Sequence, residues 1–477
     1  GIEVEKKEGT LASKELGEST FEEYEIKKVK IPGAKKHPAP LVESAAMAAV
    51  EPPDVDYRPV LPQTVITEGK LSEAQLEAVI YAGAAHKDML PSGERKGCLI
   101  GDGPGVGKGR IIAAIIWDNF NQGRRKAVWL SKNRPLINDA KRDVKDIGWD
   151  PDLIFDLADV KFGTDIKQKE GICFAGYGTL RNKRKETGKN SEERRIDRLV
   201  KWLGEDFDGV IIFDEAHLMG NALQTKGKRG KPSETALVGI ELQRRLPKAR
   251  IVYVSATGAT EVENLAYAER LGLWGEGTSF PTKHVFFEQI KGGGISAMEI
   301  VARDMKALGV YLARTLSYHN VKYSRLEHPL TPEQKAIYNE LAEAWEIVLN
   351  NIERALQVVG VTDERGRTPD RNAKSLLYKR IWGTNQRFWN QVITAMQMPA
   401  AIKSAEEDLK KGCCPVFQFV NTYESQLNQK LSEIQEDDLL EDLDLTPRET
   451  LMQLVEKSFP IYQHEQYTDE EGNIKLR

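Results

Sequence analysis

Residues 98–110, Cys98-Leu99-Ile100-Gly101-Asp102-Gly103-Pro104-Gly105-Val106-Gly107-Lys108-Gly109-Arg110, decide the fold. A short apolar run leads into a glycine-rich turn, and an apolar helical pattern, Arg110–Asn121, follows it. Glycines at 103, 105 and 107 let the backbone turn tightly and aim N–H groups at an anion, and the positive end of the following helix dipole points the same way. Lys108 then reaches the β and γ phosphates of a nucleotide. The expected nucleotide contacts are Gly103, Gly105, Val106, Gly107, Lys108, Gly109 and Arg110. A glycine-rich loop by itself has a purely structural alternative, but this one sits between strand and helix and carries the lysine. One departure stands out: the residue after the lysine is usually Ser or Thr, whose hydroxyl binds Mg²⁺, and here it is Gly109.

Downstream, apolar runs recur at Ala127–Leu130, Ile172–Ala175, Val210–Phe213 and Ile251–Val254, with helical segments such as Glu192–Leu203 between them. Continuous apolar strands alternating with helices predict a doubly wound parallel α/β sheet of the RecA-like, P-loop NTPase kind. The fourth run ends in Asp214-Glu215-Ala216-His217. Carboxylates at the carboxyl end of a parallel strand face the ligand crevice. Asp214 is expected to hold Mg²⁺, Glu215 to polarise the attacking water, and His217 to link the nucleotide to the rest of the chain. Ser255-Ala256-Thr257 follows the fifth run as a coupling element. Gln75, in a helix predicted over 71–90 behind a cap at Ser72, stands where adenine would be read, with a solvated helix glutamine as its plain alternative. Candidate nucleic-acid contacts are Ser131, Lys132, Asn133, Tyr177 and Thr179 at strand ends, and Arg387 further on. Basic clusters at Lys183–Lys185, Arg194–Arg198 and Lys226–Lys231 are read either as solvated surface or as contacts to phosphate.

The chain has 477 residues, 40% apolar and 29% charged, which argues for more than one domain of ordinary globular composition. Its net charge of −4 leaves room for a local basic patch. No apolar run reaches the ~18 residues of a membrane span, and the four cysteines show no metal-ligand spacing. The expected domains are a lead-in arm over 1–70, a first RecA-like lobe over 71–280, a helical bridge over 281–411, and the start of a second RecA-like lobe over 412–477, opening with a strand at Val416–Val420. Long helices are expected at 297–316, 332–358 and 373–411, and Thr446-Pro447-Arg448-Glu449 begins another. The start at Gly1 and the lack of an arginine-finger motif after Val420 suggest a piece of a longer polypeptide, with Arg380 and Arg387 as substitutes.

The motifs and their surroundings closely resemble the strawberry notch family of superfamily 2 helicase-like proteins. The resemblance rests on LSEAQLEAVIYA, GDGPGVGKGR, GEDFDGVIIFDEAH, LPKARIVYVSATGATEVENLAYAERLGLWGEGTSF, GGGISAMEIVARDMKALGVYLARTLSY and NQRFW, and spans roughly residues 20–460. Gly109 agrees with that family, whereas Pro104 and Ala216 depart from its animal members and point to a bacterial or phage source. The resemblance implies two RecA-like lobes that clamp ATP with Mg²⁺ and move on nucleic acid, DNA favoured over RNA, with no membrane. It implies a cytoplasmic location for a bacterial or phage protein and a nuclear one for a eukaryotic protein. Further domains of the same polypeptide, or partner proteins, are expected. The alternatives are an ATP-binding regulatory scaffold with little turnover and the motor segment of a larger DNA-modifying or defence polypeptide.

Overall fold

The protein is described from a computed structural model. It describes residues 6–7, 21–185, 192–220, 233–257, 262–319, 321–322, 324–358, 362–363, 371–419, 446–457, 466–468 and 474–476. Two compact units result: one spans Leu11–Val321, the other Lys322–Arg477 together with Gly1–Thr10.

In the first unit, β1 (Phe21–Glu23) and β2 (Leu41–Ser44) precede helix α1 (Glu73–Ala85). There follow β3 (Cys98–Ile100), α2 (Lys108–Asn121), β4 (Lys126–Ser131), α3 (Ile137–Asp146), β5 (Ile154–Asp156) and β6 (Gly171–Gly176). Then come α4 (Arg195–Leu203), β7 (Val210–Asp214), α5 (Glu234–Arg245), β8 (Arg250–Val254), α6 (Lys283–Ala307), β9 (Tyr311–Leu312) and β10 (Thr315–Leu316). Seven strands form one sheet in the order β9-β3-β8-β7-β4-β6-β5, every pair parallel. Its central strands are buried on both faces, which is why they read as unbroken apolar runs. The α/β class and the five expected strands are present; β5 and β9 are additional.

The boundaries differ from expectation at both ends of the lobe. Residues 21–70 are more than an arm: β1 and β2 form a three-stranded antiparallel sheet with β10, and Lys306 Nζ donates to Glu43 Oε2 at 2.6 Å in the interior. The lobe also continues past 280. The element Lys283–Ala307 is broken by the non-helical backbone of Gly294 (φ 61°, ψ −143°), so the helix expected over 297–316 begins close to its expected start but ends at Ala307, and the chain then turns at Gly309 to lay β9 along β3. The compact unit therefore takes in residues assigned above to the bridge.

The second unit contains α7 (Pro332–Val358), α8 (Arg371–Lys410) and α9 (Pro447–Lys457), close to the expected helices. Trp345, Ile352, Ile381, Phe388, Val392 and Leu454 form its core. A capping box starts α7, Thr331 Oγ1 accepting from Gln334 N–H at 3.2 Å and Gln334 Oε1 from Thr331 N–H at 3.1 Å. The strand expected at Val416–Val420 is not formed by Val416–Phe419, and Val416 is 92% exposed; Val420 lies outside the described residues.

Candidate functional site

The strand register builds the site. Ile100, Val254 and Asp214 lie side by side on β3, β8 and β7, and Ser255 N–H donates to Ile100 O at 3.0 Å. The glycine-rich loop, Glu215 and Ser255 therefore leave the sheet at one carboxyl-terminal edge, the ligand edge of an open α/β sheet.

The loop is held by neighbours on three sides. Gly101 N–H donates to Leu312 O at 2.6 Å and Gly103 N–H to Arg314 O at 2.7 Å. Arg314, fully buried, donates from Nε and Nη2 to the Asp102 carboxylate at 3.0 and 2.6 Å, and from Nη1 to Glu77 Oε2 at 3.1 Å. Tyr24 OH donates to the same Glu77 oxygen at 2.6 Å. Burial raises the Glu77 pKa, opposed by Arg314 and by the Tyr24 hydroxyl. Gly107 starts α2 at φ 91°, a left-handed conformation that only glycine adopts without strain. Lys108 Nζ donates to Asp102 O at 3.0 Å.

Gln75 completes the third side. Its Oε1 accepts from Ser72 N–H at 2.8 Å in a capping box, and its Nε2 donates to Val106 O at 2.9 Å. The amide expected to face adenine is thus buried and bonded to the phosphate loop.

Across the edge, Ser131 Oγ donates to Asp214 Oδ2 at 2.8 Å, and Glu215 N–H donates to Asp214 Oδ1 at 3.0 Å. Tyr177 OH donates to the Asp214 carbonyl at 2.9 Å. Burial pushes the Asp214 carboxyl up to about 6; the Ser131 hydroxyl, the Glu215 amide and Lys108 pull it down, and the Glu215 charge pushes it up. His217 Nδ1 lies 3.0 Å from Ser255 Oγ and 3.3 Å from Glu215 Oε2. Thr257 N–H donates to the same Ser255 oxygen at 3.3 Å. Glu215 has φ 50° and ψ 45°, the only non-glycine residue with positive φ among the described residues.

Two expected nucleic-acid contacts need correction. Ser131 and Tyr177 are buried, and their hydroxyls fix Asp214, so neither is free to touch a phosphate backbone. Lys132 and Asn133 are exposed, and Thr179 is half-buried. Arg387 is exposed on α8 and donates to Thr384 Oγ1 at 2.9 Å; Arg380 is exposed on the same helix. The Arg194–Arg198 cluster is largely internal: Arg194 pairs with Asp197 and Glu241, and Arg198 with Asp165. Lys226–Lys231 lies outside the described residues. Arg314, Glu77 and Asp102 were not singled out in the sequence; an acidic residue inside the phosphate loop itself was the available signal.

Among the described residues, no group of three or more His, Cys, Asp or Glu could hold a metal alone. Mg²⁺ carried by a nucleotide draws most ligands from phosphate and water and needs few protein oxygens. The Asp214 carboxylate, near enough to Lys108 to feel its charge, is of the type that would fit that need. No described helix is long and apolar enough to cross a membrane.

Residues 36–340 match the model of the family described as P-loop containing NTP hydrolase pore-1. Protein strawberry notch homolog 1 of Gallus gallus is 38% identical over 94% of this chain and 35% of its own length. Protein strawberry notch of Drosophila melanogaster is 38% identical over 96% of this chain and 27% of its own. Protein FORGETTER 1 of Arabidopsis thaliana is 34% identical over 99% of this chain and 35% of its own. The chain thus spans about a third of the length of the relatives it matches. A Sulfolobus solfataricus SWI2/SNF2 ATPase core domain aligns at 14% identity with a TM-score of 0.34, covering 86% of this chain and 76% of that one, too loose to carry an argument.

Proposed function

We propose, from the premise that this chain belongs to the P-loop containing NTP hydrolase pore-1 family, that it is the Mg-ATP-hydrolysing lobe of a superfamily 2 type motor on nucleic acid, with DNA favoured over RNA. One observation carries the proposal: three adjacent parallel strands deliver Lys108, the Asp214–Glu215 pair and Ser255 to one edge in register. When bound, Mg²⁺ would neutralise phosphate charge. Lys108 would exchange the Asp102 carbonyl for the β and γ phosphates. The amides of Gly103, Gly105, Val106, Gly107 and Gly109 would face the same phosphates, with Arg110 flanking them. Asp214, locked by Ser131, would hold the metal side. Glu215 would orient and polarise the attacking water. His217, bonded to Ser255, would carry the change in nucleotide state to Thr257 and beyond. Lys132, Asn133 and Thr179 are the remaining contacts proposed to nucleic acid in this lobe, and Arg387 in the helical unit.

Strawberry notch relatives are longer, so further domains or partner proteins are proposed to act with this chain. The test is ATP turnover with no nucleic acid, single-stranded DNA, duplex DNA and RNA. Turnover that rises most with DNA supports the proposal. ATP binding with no turnover under any of the four conditions replaces it with a nucleotide-binding scaffold.

A further inference from the structure

The glycine after the loop lysine leaves Mg²⁺ without the hydroxyl it usually has in such a loop. The structure shows what stands in that place. A Cβ built on Gly109 would fall on the Asp143 carboxylate, with Asp143 Cγ at 2.6 Å and Oδ2 nearer still. Any side chain at 109 would have to displace Asp143, so the two positions share one volume.

Asp143 lies on α3, which packs along α2. The neighbouring pair Arg110 Nη2–Asp146 Oδ2, at 2.9 Å, ties the helices together at that point. Asp143 is only 20% exposed, and its nearest cation is Arg142, at 3.9 Å, beyond hydrogen-bond range. Among the described residues no hydrogen-bond donor to its carboxylate is found, although an ionised carboxylate this sheltered normally has one. Arg134, Arg194 and Arg244 show the usual arrangement elsewhere in the lobe, each donating at short range to a carboxylate. Asp143 is thus a sheltered acceptor with spare capacity, placed beside the first turn of the phosphate-loop helix.

We propose that Asp143 replaces the missing hydroxyl: its carboxylate, in the volume a side chain at 109 would occupy, would accept hydrogen bonds from water on the Mg²⁺ of the nucleotide. This rests on the nucleotide site proposed above and adds a metal-positioning residue to it. Chemically the exchange is reasonable, because Mg²⁺ keeps several waters and a carboxylate is a stronger acceptor for them than a hydroxyl.

The experiment measures ADP affinity of the whole chain with and without Mg²⁺, and Mn²⁺ binding to the chain–ADP complex by electron paramagnetic resonance. Asp143→Asn should leave metal-free ADP binding unchanged and weaken Mn²⁺ binding about 10- to 100-fold, the range for removing an outer partner of a metal site. Gly109→Ser alone should also lose metal-linked affinity, because its side chain collides with Asp143. The double variant Asp143→Ala, Gly109→Ser removes the collision, restores the usual hydroxyl and should recover most of the Mn²⁺ affinity. Wild-type Mn²⁺ binding in Asp143→Asn overturns the proposal, as does a double variant no better than Asp143→Ala. If the unaltered chain binds no ADP at all, the nucleotide site itself is refuted instead.

Discussion

Arg314 and Asp102 form a two-point ion pair, at 3.0 and 2.6 Å, with both side chains fully enclosed. Asp102 is part of the phosphate loop, while Arg314 follows the edge strand β9, which lies beside β3, so the pair ties the loop to a neighbouring strand far from it in sequence. The same guanidinium also contacts Glu77 on α1, and desolvation of all these charges is offset only while the set is intact. Arg314→Met should leave two buried carboxylates without their cation and destabilise the first unit by about 3–5 kcal/mol. Arg314→Lys keeps the charge but not the fork, and should fall between the two. Urea unfolding followed by tryptophan fluorescence reads both. An Arg314→Met midpoint equal to wild type would show that the pair does not brace the loop.

How far this site could be read from sequence depended on separation along the chain. Lys108, Asp214 and Glu215 sit in contiguous motifs whose flanking apolar runs reveal the strands that carry them. Arg314 is 212 positions from Asp102, and no local pattern links them. The same holds for Asp143, whose relation to Gly109 exists only once α2 and α3 pack. Strand β3 is as short as β5 but is marked by the glycine-rich loop that follows it; β5 has no such flanking motif, and the two residues of β9 lie inside the stretch read as a helix over 297–316. Ser131 and Tyr177 were placed correctly at strand ends but given the wrong partner. A polar residue ending a strand looks the same in sequence whether it meets solvent or, as here, the carboxylate of Asp214 for Ser131 and the backbone carbonyl of Asp214 for Tyr177.

His86 ends α1 inside the lobe, where its Nε2 donates to Ile251 O at 3.1 Å and Nδ1 has no partner. Burial lowers its pKa from 6.5 to about 3. The sign follows directly. The unfolded chain takes up a proton below pH 6.5 that the folded one refuses, so stability is lost as pH falls from about 6.5 towards about 3. Between pH 7 and 5 this one group should cost about 2 kcal/mol. His86→Gln keeps a donor for Ile251 and does not titrate, so its unfolding free energy should fall by about 2 kcal/mol less over that interval. Equal acid sensitivity in the two proteins would assign the loss to other groups.

Glu215 combines a strained backbone with the water-activating role proposed for it. Its left-handed backbone, φ 50° and ψ 45°, costs a side-chain-bearing residue about 1–2 kcal/mol. The conformation is held by its N–H on Asp214 Oδ1, and it sets the carboxylate 3.3 Å from His217 Nδ1. Three substitutions separate the contributions. Lys108→Ala removes the charge expected on the phosphates and should lower both ATP affinity and turnover, turnover by about 10²-fold or more. Glu215→Gln keeps the shape and loses the base, so labelled ATP should still bind while turnover falls about 10²- to 10⁴-fold. Glu215→Gly relieves the backbone and removes the base together. It should abolish hydrolysis yet raise the thermal midpoint of the nucleotide-free protein, the opposite of what a residue retained for stability would show. A lower midpoint in Glu215→Gly would mean that the contacts of the side chain to His217 outweigh the strain. ATP binding lost in Glu215→Gln would move Glu215 from water activation to holding the metal.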